Sequence, residues 1–230
     1  MITLSHITSD IENLATSGDL SYVFRIEHEQ IHYWIHEARA MLISQAIQKK
    51  ESLSDVWIQS ISCVEMMQVD EAECCLVNTG CYVLRSVNKL PVTIETHGDN
   101  TIVRVVSASG DIISKSNPFE TMYSSGNRYT SKKARWFLKN GYLYILNEQL
   151  IERVTVYGIF EDPTDLSNWV DCSSSSCFDV YTSPYPVGAK MANEITNYII
   201  KVKVIPFLKF KQDSSNDGSN EDSQLPGNPG

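Results

Sequence analysis

The chain has 230 residues, 42% of them hydrophobic and 20% charged, which is ordinary for a globular protein of one or two domains and long enough to bury a core. Its formal net charge of −9 argues against broad binding to nucleic acid or anionic membranes. There is no run of about 18 apolar residues to predict a membrane span, and residues 1 to 20 lack the charged start and apolar core of a secretory signal.

The first 20 residues read as a loose entry, with a short helix around Ser9 to Ala15. Tyr22 to Lys50 follows, the longest run free of Gly and Pro. Val23, Ile31, Trp34, Ile35, Ala38, Leu42 and Ala46 recur at three- and four-residue steps, which predicts one apolar stripe on a long helix. Asp19 suits its N-cap, and Lys49-Lys50 suit the negative end of its dipole.

This helix contains His28, Glu29 and His32 in the HExxH pattern of zinc metalloproteases, where two His ligate zinc and the Glu activates water. A third ligand is needed. The longer motif places Gly and His where this chain has Ile35 and Ala38. His36 extends a His ladder by one turn, but helical geometry alone closes no zinc site. The plainer alternative is a polar flank, solvated or facing a neighbouring subunit, and no metal or cofactor is assigned.

Ser52 to Ile61, with Ser54 as a cap, fits a short second helix or an extended segment. From Ser62 the period changes to two. Strands are predicted around Val64 and Met66, Cys81 to Val87, Val92 to Thr96 and Thr101 to Ser107, with a turn at Ser109-Gly110-Asp111 and a loop over Asn117 to Thr130. Asn140-Gly141 between Arg135-Trp136-Phe137-Leu138 and Tyr142-Leu143-Tyr144-Ile145-Leu146 predicts a hairpin. Ile151 to Phe160 adds a strand that stops at Glu161-Asp162-Pro163, where the acids read as a solvated turn. The six cysteines include no C-x-x-C pair. They read as free thiols, with a metal cluster at Cys74, Cys75 and Cys81 as the sharper option. No nucleotide-binding glycine motif or nucleophile elbow occurs.

Met191, Ile195, Tyr198, Ile199 and Val202 form a second helical stripe, with Lys201 and Lys203 at its C-terminal end and Pro206 as its stop. Phe207-Leu208-Lys209-Phe210 follows, and then Gln212 to Gly230, a polar stretch predicted to be disordered. The apolar patch either folds back on its own core or acts as an arm that docks on another protein. Val204, Ile205, Phe207, Leu208 and Phe210 are its candidate partner-binding residues.

The expected class is α+β. An N-terminal long helix and a C-terminal helix pack together, holding an antiparallel β-rich insert and leaving a disordered C-terminal tail. The expected units are a helical segment over 1–61, a β domain over 62–182, a helix and docking arm over 183–210 and a tail over 211–230.

Several stretches carry a resemblance. They are Ala38-Arg39-Ala40-Met41-Leu42-Ile43, Asp55-Val56-Trp57-Ile58-Gln59, Arg85-Ser86 with Lys89-Leu90-Pro91, and the Asn140-Gly141 hairpin. The most recognisable is Val154-Thr155-Val156-Tyr157-Gly158-Ile159-Phe160-Glu161-Asp162-Pro163. Together they resemble the neck or ring proteins of tailed phages, in particular those of crAss-like phages. The resemblance implies a head-to-tail connector without an active site, assembled in the host cytoplasm and carried in the virion. Its partners would be the portal protein, other neck and tail rings, and its own copies in a ring, often twelvefold in that family, through which DNA passes without specific binding. The alternatives are a zinc-dependent hydrolase using His28, Glu29 and His32, or a tail or baseplate component.

Overall fold

A computed structural model of the chain describes residues 2–16, 26–70, 83–96, 99–117, 133–147 and 150–206. Helix α1 spans Leu4–Ala15. Thr3 caps it, its hydroxyl accepting from the His6 amide at 3.3 Å. Leu4, Ile7 and Ile11 lie buried along one face, so the helix begins well before Ser9. Helix α2 spans His28–Gln48, with Ile31, Ile35, Ala38 and Ile43 fully buried. Its N-cap is Glu27, which makes no side-chain capping bond. The expected start at Tyr22, the cap at Asp19 and the stripe residue Val23 lie outside the described residues. At its other end Lys50 is left-handed, with φ 59°. The Glu51 amide reaches the Ala46 carbonyl at 3.1 Å and the Lys50 amide reaches that of Ile47 at 2.9 Å, a Schellman closure without glycine.

A 3-10 turn at Asp55–Trp57 then feeds the sheet. The strands are β1 Gln59–Val69, β2 Val83–Ser86, β3 Glu95–Thr96, β4 Asp99–Asn100, β5 Ile102–Ser107, β6 Ile112–Lys115, β7 Arg135–Lys139, β8 Tyr142–Leu146 and β9 Arg153–Gly158. Strands β3 and β4 form a small separate hairpin, and the others close a barrel in the order β1-β2-β8-β7-β6-β5-β9. Closure depends on the length of β1. Its first half pairs with β9 and its second half with β2. Two bulges sharpen the curvature. In β1 the register jumps from Ile61↔Val156 to Val64↔Val154, so Ile61 and Val64 both point inward despite their odd spacing. In β5 it jumps from Ile102↔Gly158 to Arg104↔Tyr157. Gly158 sits between two neighbouring strands, and a Cβ there would come within 3.4 Å of the Thr101 carbonyl.

The barrel interior is filled, with Val64, Val105, Trp136, Leu143, Ile145 and Val156 among its buried residues. It is a packed core rather than a pore. A second core lies among α1, α2 and helix α3, Ala189–Ile199, which a π-type turn over Ile200–Val204 extends. Ile43, Ala46, Trp57, Ile94 and Ile159 form a third cluster linking α2 to the strand ends.

The expected class therefore needs correction. The body is a closed seven-strand barrel, not a β insert held between an N-terminal long helix and a C-terminal helix. Nor is it wholly antiparallel, since β6 and β7 run parallel through Ser114↔Arg135 and Lys115↔Trp136. Short strands with regular turns hide a barrel because closure rests on pairings remote in sequence. The tail assigned to disorder, 211–230, lies outside the described residues.

The free-thiol expectation is corrected as well. Cys63, at the β1 bulge, is disulfide-bonded to Cys172 across 109 residues of sequence, with Cα atoms 5.4 Å apart. Cys63 is left-handed, with φ 57°. Cys177 is free and half-buried. Cys74, Cys75 and Cys81 lie outside the described residues.

Candidate functional site

A cleft of about 540 Å³ runs along the first half of α2, between that helix and the segment that leaves the barrel after β9. Helical spacing brings Glu29, His32, Tyr33, His36, Glu37 and Ala40 to it from α2. Glu161, Asp162, Thr164 and Asp165 face them. Glu161 is exposed, as in a solvated turn, whereas Asp162 is half-buried and held in place. Asp162 caps the 3-10 turn Pro163–Asn168, its Oδ1 accepting from the Thr164 amide at 2.7 Å and the Thr164 hydroxyl at 2.6 Å.

Beneath the cleft lies a buried polar network. His36 Nδ1 is 2.8 Å from the Tyr185 hydroxyl, and its Nε2 is 3.5 Å from Asp162 Oδ1. Burial pulls the His36 pKa down to about 4, against the pull of Asp162 and with help from Arg39 and His32. Burial likewise raises the Tyr185 phenol and, with His28, lowers His32. Arg39 is fully buried one turn from His36. Its guanidinium donates to the carbonyls of Phe160 at 2.7 Å, Pro186 at 3.2 Å and Trp57 at 3.5 Å, and lies 5.9 Å from the Tyr185 ring centroid. One cation thus ties α2 to three separate stretches of chain, including the barrel exit. Sequence reasoning placed Arg39 in a resembling stretch and gave it no task. The available signal was a charged residue at a helical position between Ile35 and Leu42, on the buried side.

The HExxH residues do not converge. His28 is 72% exposed and pairs with Glu12 of α1 at 3.2 Å, while His36 turns to Tyr185 and Asp162. Among the described residues, no three His, Cys, Asp or Glu side chains come together to hold a metal. Glu29 and His32 line the cleft and belong to no such group among the described residues.

The predicted arm is partly in view. Val204 is buried in the helical core, while Ile205 is 41% exposed. Phe207, Leu208 and Phe210 lie outside the described residues. No helix among the described residues is long and apolar enough to cross a membrane.

A sequence model of the family described as phage tail ring protein 2, of the crAss type, matches residues 6–223. No curated protein matches the chain.

Proposed function

Since the chain belongs to the phage tail ring protein 2 family, a structural component of the phage tail or neck, we propose that it forms a closed homo-oligomeric ring between portal and tail. DNA passes through that ring. The observation that carries this is the family match over residues 6–223, which spans both the barrel and the helical layer. The subunit is made and assembled in the host cytoplasm and stays in the virion. Its role is structural rather than catalytic.

Physical features support the finer placement. A net charge of −9 suits a channel wall, because a negative surface does not trap a polyanion. One heterologous contact repeated by a fixed rotation closes a ring, and the resemblance noted above makes twelve copies the working number. The C-terminal arm is the portal contact. Val204 anchors its base in the helical core, and Ile205, Phe207, Leu208 and Phe210 are the residues assigned to the partner contact.

Imaging intact virions at side-chain resolution tests the placement. The barrel with its Cys63–Cys172 link should be traceable in a ring directly beneath the portal. The same density at the baseplate would make the chain a distal tail component instead. Truncation tests the arm. The cut belongs after Pro206, because removing Val204 would open the helical core. Such a chain should fold and lose portal binding; undiminished binding would sink the arm assignment.

A further inference from the structure

The cleft beside α2 holds more negative charge than its surroundings neutralise. Glu29, Glu161, Asp162 and Asp165 line it, and no Lys or Arg is among the described residues that line it. Burial, and then Asp162, raise the Asp165 carboxyl, as expected where two acids share a site without a cation between them. Its rim is apolar and open. Tyr33 is 63% exposed and Val92 60%. Its volume of about 540 Å³ lies in the range of sites that enclose a small ligand or a few side chains.

The helical extension after α3 is tied to the wall of this cleft through one side chain. Lys203 Nζ donates to both carboxylate oxygens of Glu37, at 2.9 and 3.1 Å, and Glu37 lines the cleft. Three residues later comes Pro206. The next residues are Phe207-Leu208-Lys209-Phe210-Lys211, three apolar and two cationic, and no Lys or Arg follows Lys211. At about 3.3 Å per residue this stretch spans up to about 16 Å.

We propose that, in the subunit before assembly, Phe207 to Lys211 docks into the acidic cleft of its own chain, aromatic rings against Tyr33 and Val92 and lysines against the carboxylates. Tethering favours the chain's own cleft over that of another copy, because a short linker holds its end at about millimolar effective concentration. Assembly then releases the arm for its partner. The docked state does not depend on that partner being the portal, so it stands or falls separately from the placement in the neck.

The test uses the full-length chain with p-benzoylphenylalanine in place of Phe210. Chains with light and heavy nitrogen are mixed in equal amounts, irradiated at a concentration where the subunit is monomeric, and mapped by mass spectrometry. The expected crosslinks join position 210 to the peptides containing Tyr33 or Val92, with both halves of each pair carrying the same isotope. Mixed-isotope pairs at those peptides would assign the cleft to a second copy and overturn docking within one chain. Crosslinks elsewhere, or none to either peptide, would overturn the cleft as the docking site. In a Lys209→Glu/Lys211→Glu chain the yield at the cleft should fall about fivefold, the loss expected for two partly screened ion pairs. An unchanged yield would overturn the role of charge.

Discussion

Arg39 is the residue on which the separate stretches of the chain converge. Its guanidinium is fully buried and the groups it donates to are neutral, the carbonyls of Trp57, Phe160 and Pro186. Arg39→Met would fill similar space and leave those carbonyls without a donor. Unsatisfied buried groups cost about 1 to 3 kcal/mol each before relaxation. With partial relaxation, urea unfolding of Arg39→Met should show a loss of about 2 to 4 kcal/mol. A loss under about 0.5 kcal/mol, the level of an ordinary surface change, would show that the carbonyls find water instead. His36 gives the same site a pH dependence. Its folded pKa of about 4 lies below the unfolded value of 6.5, so the unfolded state binds the proton more readily. This contribution is fully present above about pH 6.5 and is lost as pH falls toward about 4, with a ceiling of about 3 kcal/mol. Urea midpoints between pH 7.5 and 4 should fall less steeply in His36→Gln, which keeps a polar partner for Tyr185. Equal slopes would remove His36 from the acid response.

At the scale of elements, the disulfide and the bulge act together. Cys63 occupies a left-handed position in β1 that a non-glycine residue adopts only at a cost. The link to Cys172 fastens that bulge to the loop that follows the barrel exit. Cross-linking across 109 residues restricts the unfolded chain strongly. Cys172→Ser should therefore lose about 2 to 5 kcal/mol of stability under oxidising conditions and little in excess reductant. An identical midpoint with and without reductant for the unsubstituted chain would show that the link is absent in solution. The same elements explain how much the sequence made legible. The β7–β8 hairpin was plain because Asn140 and Gly141 both take positive φ, at 54° and 80°, the conformation that Asn-Gly favours in a two-residue turn. Barrel closure was not, because β9 pairs with both β1 and β5 through residues far apart in sequence. The bulge in β1 also breaks the alternation that marks an inward face, so Ile61 and Val64 share the interior at a spacing that strict alternation would put on opposite faces. In the candidate site, His28, Glu29 and His32 stood out as a motif, while the groups that are in fact joined were silent. His36, Arg39, Asp162 and Tyr185 meet only through tertiary packing, with His36 and Tyr185 separated by 149 residues.

For the whole molecule, assembly is a contest between contact area and like charge. Each copy carries a net charge of −9, so bringing copies side by side is opposed by repulsion that salt can screen. The proposed docking of Phe207 to Lys211 in the acidic cleft adds a second barrier with the same dependence, since salt also weakens that attraction and frees the arm. Both effects point the same way. Sedimentation velocity of the full-length chain should show mostly monomer at about 20 mM salt and a rising fraction of one closed multimer toward about 500 mM, where the Debye length shrinks to a few ångströms. Lys209→Glu/Lys211→Glu, which loosens the arm at every salt concentration, should shift that rise to lower salt even though it makes the chain more acidic. This second arm separates the two contributions. If repulsion alone governed assembly, the added negative charge would push the rise to higher salt. A multimer that dissolves as salt is raised would mean that complementary charge holds the ring together, and the acidic cleft would then have to belong to the interface between copies.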